Sequence, residues 1–119
     1  MGLDIYFYKS KEELGGFRVE IGYFRKVNLL VKYFNLDNCV DHICSKEELS
    51  DLLGKCETVL KEHNETVSKE LLPTEEGFFF GDTNYNEYYY SNVKNVADFL
   101  RETLKNLNET EDVIVRAWW

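Results

Sequence analysis

The sequence predicts an α+β fold, in which a small mixed or antiparallel sheet of short strands has about three helices packed on it. Apolar and polar residues alternate near both ends of the chain, at 3–8 and at 113–119, with the period of a β-strand. Between these stretches, apolar residues recur every three or four positions in three longer segments, as they do on amphipathic helices. The 119 residues contain no linker or internal repeat, so we assign 1–119 to a single domain.

After the first strand, the chain is predicted to form a turn, a helix and two short strands. Residues 9–16 are polar and end in two glycines, which favours a turn. A short strand is predicted at 17–20. Apolar residues then recur at helical spacing over 22–34, which predicts a helix whose first turn carries Arg25. Another short strand is predicted at 40–44.

The second half of the chain contains the clearest helix signal. Ser45 and Glu48 are spaced as a capping box, in which each side chain satisfies a free backbone N–H of the first turn. Apolar residues follow at helical spacing as far as about Leu71, so one continuous helix is predicted. A further helix is predicted to start at Ser91 or Asn92. We expect the last strand to lie beside the first.

The charge of the chain limits the class of partner. A net charge of −8 disfavours a surface that binds nucleic acid or an anionic membrane, because both require clustered cations. Residues 45–76 hold nine acidic and four basic side chains, so the long helix is predicted to present an acidic face. Such a face is ordinarily just solvated. The functional alternative is a surface that offers carboxylates to a basic protein.

Three cysteines, an odd number without a CxxC pair, disfavour a disulfide framework, and their spacing does not match the four-ligand zinc patterns. The first residues do not have the pattern of a secretory signal, and no apolar run approaches the length of a membrane span. We therefore expect a protein of the cytoplasm that does not associate with membranes.

Neither histidine predicts a catalytic or metal site. His63 is expected at the edge of the core on the long helix. His42 would share one face of a strand with Cys44, and Cys39 would lie on the other face. Nothing in the spacing fixes a metal geometry or a nucleophile–base pair. We therefore expect no cofactor, no metal and no catalytic residue.

Aromatic residues are concentrated in residues 73–90, which read PTEEGFFFGDTNYNEYYY. The run Phe78–Phe80 is predicted to pack in the core, with a stacking platform as the alternative. The tyrosines are predicted to supply a contact surface with at least one of them exposed, because tyrosine combines an apolar ring with a polar tip. Acidic residues of 82–87 lie close to them in sequence and are possible partners for Arg25.

Several of these segments together resemble a family of small uncharacterised bacteriophage and prophage proteins. The resemblance rests on the MGLDIYFY start, the YFRK segment at 23–26, the LLPTEEGFFFGDTNYNEYYY segment and the final AWW. The family's usual residue before Arg-Lys is tryptophan, whereas this chain has Phe24. The resemblance implies an accessory gene of a mobile element that works in the bacterial cytoplasm, and it transfers no catalytic residue.

The leading hypothesis is a non-enzymatic inhibitor that binds a host protein, with a defence nuclease such as a CRISPR effector as the candidate partner. One alternative is a small-molecule or nucleotide-binding protein, or an enzyme, with a pocket near residues 77–90. Another is a structural accessory protein that oligomerises. For the leading hypothesis, the predicted contact residues are Arg25, Glu47, Glu48, Asp51, Asp82, Tyr85, Glu87, Tyr88 and Tyr89.

Overall fold

The computed structural model describes residues 2–11 and 17–119. Their strands form one four-stranded antiparallel sheet in the order β2-β1-β4-β3, so the first and last strands are the central neighbours, as predicted. The fold is α+β, with four helices in the described residues. The strands are β1 (Asp4–Lys11), β2 (Arg18–Arg25), β3 (Asp41–Cys44) and β4 (Glu111–Trp118), and the helices are α1 (Leu29–Phe34), α2 (Lys46–Glu62), α3 (Glu65–Leu71) and α4 (Glu87–Asn106).

The core lies between the helices and one face of the sheet. On that face, Ile5 and Phe7 of β1 lie beside Val115 of β4, and all three are fully buried. The Phe7 ring contacts Phe34 of α1 and Phe99 of α4, with ring centroids 6.1 and 4.8 Å apart. The strand alternation seen in the sequence therefore identifies the face that the helices cover.

The helix predicted over 22–34 is wrong in its first half. Residues 18–25 form strand β2, and α1 starts only at Leu29. A β-bulge interrupts the alternation of β2: Phe7 pairs with Gly22 and Tyr8 with Glu20, so Ile21 is an extra residue. The helical spacing that misled the prediction arises at the end of the strand, where Phe24 lies three residues before Val27.

The long helix predicted to reach residue 71 is in fact two helices. His63 has a left-handed backbone with φ of 49°, which ends α2. The Asn64 side chain then accepts a hydrogen bond from the Val67 N–H and caps α3. The predicted cap at Ser45 is confirmed, because its hydroxyl accepts from the Glu48 N–H at 3.0 Å.

The N-cap of helix α4 is Asn86, five or six residues before the predicted caps Ser91 and Asn92, and its side chain accepts from the Tyr89 N–H. Residues 73–86 connect α3 to α4 without a regular strand. The predicted core role of the three phenylalanines holds for Phe80, which is buried, whereas Phe78 is 95% exposed. Among the described residues, no helix is both long and apolar enough to cross a membrane.

Candidate functional site

The acidic residues predicted to bind a partner lie in the first two turns of α2. Glu47 is exposed. The Glu48 carboxylate lies 2.8 Å from the His42 Nε2 atom. Asp51 accepts a 2.7 Å hydrogen bond from the Tyr33 hydroxyl, which holds the pKa of Asp51 below its usual range. Two of the three carboxylates therefore already have partners within the protein.

Most of the tyrosines predicted as contact residues are structural. Tyr89 and Tyr90 are 4% and 8% exposed. The Tyr89 hydroxyl donates to the Leu72 carbonyl at 2.8 Å. The Tyr85 hydroxyl accepts a hydrogen bond from the Thr74 N–H, which fixes the connection before α4. Tyr88 is 59% exposed, so at least one tyrosine of this segment does reach the surface as expected.

The predicted acidic neighbours of these tyrosines do not frame a ligand pocket. Asp82 accepts hydrogen bonds from Asn84 and Asn86, and these bonds hold its pKa below the usual range. Glu87 is exposed and lies 3.5 Å from the His63 ring. A cleft beside Asp82 and Tyr88 encloses only about 10 Å³, enough for about one water molecule. A nucleotide does not fit there.

His63 lies at the edge of the core, as predicted, with one half of its side chain exposed. Its ring stacks on the ring of Tyr90, a buried core residue, with the centroids 3.9 Å apart. The left-handed backbone at His63 ends α2 at this point.

The predicted contact residues fall into three separate groups. Glu57 of α2 pairs with Arg101 of α4 at 3.5 Å, and His63 pairs with Glu87 at the same distance, so the two helices run antiparallel. The acidic start of α2 therefore lies at the opposite end of α4 from Tyr88. At 1.5 Å per residue, the 20 residues of α4 separate them by about 30 Å. Arg25 lies elsewhere, on the sheet.

The face of the sheet that points away from the core forms a larger surface, which the sequence analysis did not identify. We call this surface the open face. Within residues 2–11 and 17–119, all four helices pack on the opposite side of the sheet. Aromatic and arginine side chains dominate the open face: Tyr6, Tyr8, Arg18, Tyr23, Arg25, Arg116 and Trp118, together with Asp4, Glu20, Asp41, Ile43, Asp112 and Ile114.

The three tyrosines of the open face lie against one another, and Trp118 lies beside Arg116. The Tyr6 ring is 6.2 Å from the Tyr8 ring and 5.1 Å from the Tyr23 ring. The Tyr23 hydroxyl donates to Asp4 at 2.6 Å, which fixes the orientation of a ring that is still 45% exposed. Trp118 is 48% exposed, and the Arg116 guanidinium lies 5.2 Å from its ring centroid. These contacts fix the orientation of the aromatic rings at the solvent-exposed surface of the sheet.

Carboxylates accompany every arginine of the open face. Arg18 and Arg116 both donate to Asp41, at 2.5 and 3.3 Å. The Arg18 hydrogen bond is the main reason that the pKa of Asp41 is below its usual range. Arg25 lies 3.8 Å from Asp4. The arginines are therefore neutralised locally, and the face carries no positive stripe.

A signal for the open face was present in the sequence. The outward positions of the first strand are Asp4, Tyr6 and Tyr8, and those of the last include Arg116 and Trp118. Once these strands are placed side by side, their polar aromatic residues share one face. The sequence does not say whether a helix covers that face, because cover depends on how the helices connect.

The two buried cysteines, Cys44 and Cys56, give no support for a role as nucleophiles. Burial raises the pKa of Cys44 and of Cys56 to about 12, so both are thiols at neutral pH.

No family model matches the chain, and neither a curated protein nor a solved structure matches it. The resemblance to phage proteins therefore stays a prediction, and the open face is the strongest structural basis for a function.

Proposed function

We propose that this protein is a non-enzymatic binding protein that contacts a partner protein through the open face. The observation that carries the proposal is the set of aromatic side chains Tyr6, Tyr23 and Trp118 on the face of the sheet that the described helices leave open. Tyrosine, tryptophan and arginine are the residues that most often supply binding energy in protein interfaces. Because these rings are held by neighbouring side chains, little conformational entropy is lost when a partner binds.

A protein partner fits the open face better than a nucleic acid. Exposed aromatic rings on a sheet can stack with bases, but such sites also need cations for the phosphates. Here Arg18 and Arg116 share Asp41, and Arg25 lies beside Asp4. With a net charge of −8 on the whole chain, long-range electrostatics repel a polyanion.

The partner we propose is a host protein in the bacterial cytoplasm, and a defence nuclease is the leading candidate. This part rests on the resemblance to phage accessory proteins and on the acidity of the chain. Glu47 at the start of α2 supports a steering role, since exposed carboxylates speed the approach of a basic partner. The protein would then act as an inhibitor that occupies a functional surface of its target.

Affinity capture with matched variants tests the proposal. The full chain is immobilised, incubated with nuclease-treated bacterial lysate, and the captured proteins are identified and then titrated individually by calorimetry. The double variant Tyr23→Ala and Trp118→Ala should weaken binding by at least about tenfold, because it removes two aromatic anchors of the interface. Tyr88→Ala removes an equally exposed tyrosine outside the open face and is expected to change little.

Three outcomes would overturn the proposal. The first is binding that survives the open-face variant and is lost in Tyr88→Ala. The second is the capture of no protein above a tag control. The third is tight binding of a single-stranded oligonucleotide that the same open-face variant abolishes. Glu47→Lys separately tests steering, and it should slow association without altering dissociation.

A further inference from the structure

Three potential metal ligands meet where strand β3 approaches helix α2. The Nε2 or Nδ1 atom of His42, the Sγ atom of Cys44 and a carboxylate oxygen of Glu48 all lie within 4.8 Å of one another. We propose that these residues bind a transition metal ion of the Zn²⁺ class. The site is independent of the proposed partner binding, and its test does not involve a partner.

The fold places the three side chains together by local rules. His42 and Cys44 are two residues apart on β3, so both side chains point to the side of the sheet that the helices cover. Their partners on β4 are Val115 and Val113, which are buried on that same side. Glu48 lies in the first turn of α2, where the Ser45 cap fixes the start of the helix.

The chemistry of the ligand set favours zinc over magnesium or calcium. One thiolate, one imidazole and one carboxylate make a mixed sulfur, nitrogen and oxygen set, which suits Zn²⁺ and Co²⁺, whereas Mg²⁺ and Ca²⁺ prefer oxygen alone. Three protein ligands and one water complete a tetrahedron. On binding, the metal takes the place of the thiol proton of Cys44, which is released to the solvent.

The distance between His42 and Glu48 needs little adjustment to accept the ion, and the Cys44 Sγ atom lies within 4.8 Å of both. With bonds of about 2.0–2.1 Å to nitrogen and oxygen, a tetrahedral site separates these two ligands by about 3.3 Å. His42 Nε2 and Glu48 Oε1 are 2.8 Å apart. The metal therefore replaces the hydrogen bond between them with an outward movement of about half an ångström, which side-chain rotation provides.

Neighbouring residues orient the ligands and leave a route for the ion. The Phe34 ring packs on the His42 ring, with centroids 5.4 Å apart. The Tyr33 hydroxyl lies 2.9 Å from the Glu48 carbonyl oxygen and 2.7 Å from Asp51, so its single proton is shared between two acceptors of the helix beside the site. Cys44 is only 7% exposed, but it lines an open cavity of about 280 Å³ that also touches Ser45. The His42 and Glu48 side chains are themselves 34% and 27% exposed, which gives the ion access from solvent.

A bound metal would join two elements that are weakly connected. Strand β3 has four residues and lies at the edge of the sheet, and among the described strands it pairs with β4 alone. A metal that links it to α2 adds a connection on the face of the sheet that the helices cover. The folded state should therefore gain a stability that increases with the metal affinity.

Cobalt substitution tests the site directly. The full-length protein is treated with chelator and reductant, and Co²⁺ is then added under anaerobic conditions. We expect a thiolate-to-cobalt charge-transfer band in the near ultraviolet and intense visible bands of tetrahedral cobalt, both removed by one equivalent of Zn²⁺. Cys44→Ser should abolish the charge-transfer band. Cys39→Ser, which changes an exposed cysteine outside the cluster, should leave it intact.

A second pair of variants keeps the test decisive if Cys44→Ser does not fold. His42→Gln and Glu48→Gln should each reduce Co²⁺ affinity by more than about tenfold, as the loss of a ligand or of its support does. Zn²⁺ should raise the melting temperature of the unmodified protein and leave that of Glu48→Gln unchanged. The proposal is overturned if the unmodified protein gives no charge-transfer band, or if the band survives Cys44→Ser.

Discussion

The Arg18 guanidinium donates to the Asp41 carboxylate at 2.5 Å, although these residues lie on the two opposite edge strands of the sheet. The side chain crosses both central strands and passes 5.7 Å from the centroid of the Tyr8 ring. A strongly twisted sheet brings its diagonal corners closer together than strand counting suggests. The contact therefore links β2 to β3 across the open face, between strands that share no backbone hydrogen bonds.

Asp41→Asn should reveal this link through the pH dependence of stability. Because Arg18 lowers the pKa of Asp41 in the folded state, the carboxylate stabilises the fold above its unfolded pKa. That stabilisation is lost as pH falls through the folded pKa. We expect a loss of up to about 1 kcal/mol at neutral pH, since the pair is partly solvated. The difference from the unmodified protein should shrink towards zero in acid.

Urea denaturation at a series of pH values measures this difference in unfolding free energy. Asp37→Asn, at an exposed loop position, is the control and should stay within about 0.5 kcal/mol of the unmodified protein throughout. A difference for Asp41→Asn that persisted unchanged at low pH would show that its cause is not the charge of the carboxylate.

Substitution of alanine for two of the glycines should change the free energy of unfolding in opposite directions. A Cβ at Gly22 would lie 2.5 Å from a carbon of the Phe99 ring, so Gly22→Ala should cost about 1–3 kcal/mol. A Cβ at Gly54, within α2, would meet nothing within 4 Å, so Gly54→Ala should stabilise the protein by about 1 kcal/mol. Chemical denaturation measures both. A neutral Gly22→Ala would mean that helix α4 moves away from the bulge at no cost.

Asn28→Ala should loosen the packing of residues 73–86, the segment that connects α3 to α4. The buried Asn28 amide donates to the Phe80 and Asp82 carbonyls, both at 3.0 Å, and accepts from the Glu75 N–H at 3.1 Å. Loss of these bonds leaves buried backbone groups without partners, which should cost about 2–4 kcal/mol. Hydrogen exchange at the Glu75 amide should accelerate.

Asn84→Ala is the matched control for Asn28→Ala, because Asn84 is exposed. Its effect on the free energy of unfolding should stay within about 0.5 kcal/mol. If both variants accelerated exchange at Glu75 equally, the anchoring role of Asn28 would be refuted.

Removal of single hydroxyls should separate structural tyrosines from exposed ones. Tyr89→Phe leaves the buried Leu72 carbonyl without its hydrogen bond and should cost about 1–2 kcal/mol. Tyr88→Phe changes an exposed side chain and should have no measurable effect on thermal or chemical unfolding. Equal losses in the two variants would contradict the assignment of Tyr89 to the core.

Local patterns in the sequence correctly predicted the elements whose residues follow a single pattern along their whole length. The alternation at both ends and the Ser45 cap identified β1, β4 and the start of α2. The helix prediction over 22–34 failed because Phe24, near the end of β2, lies three residues before Val27, which is the spacing of a helix face. Strand pairing then outweighed local periodicity, since the whole length of β2 pairs with β1.

The candidate sites depend on tertiary placement that no local pattern contains. The proximity of Glu48 to His42 depends on the short turn between β3 and α2. Tyr89 and Tyr90 read as surface anchors, but α3 folds back and supplies Leu72 and Ser68 as their hydrogen-bond partners. The open face could not be recognised because a buried strand face implies cover on one side and leaves the other side undetermined.

The strand order also has a consequence for synthesis and folding. Among the described strands, β4 is the single partner of β3 and one of the two partners of β1. More than 100 residues separate Asp4 from Trp118, with which it pairs. Before β4 emerges from the ribosome, the described strands can form no more than the β1–β2 hairpin. The side of that hairpin that holds Phe7 is then exposed to other chains. Because such non-local pairing closes slowly, a nascent chain should depend on chaperones until the last strand inserts between its neighbours.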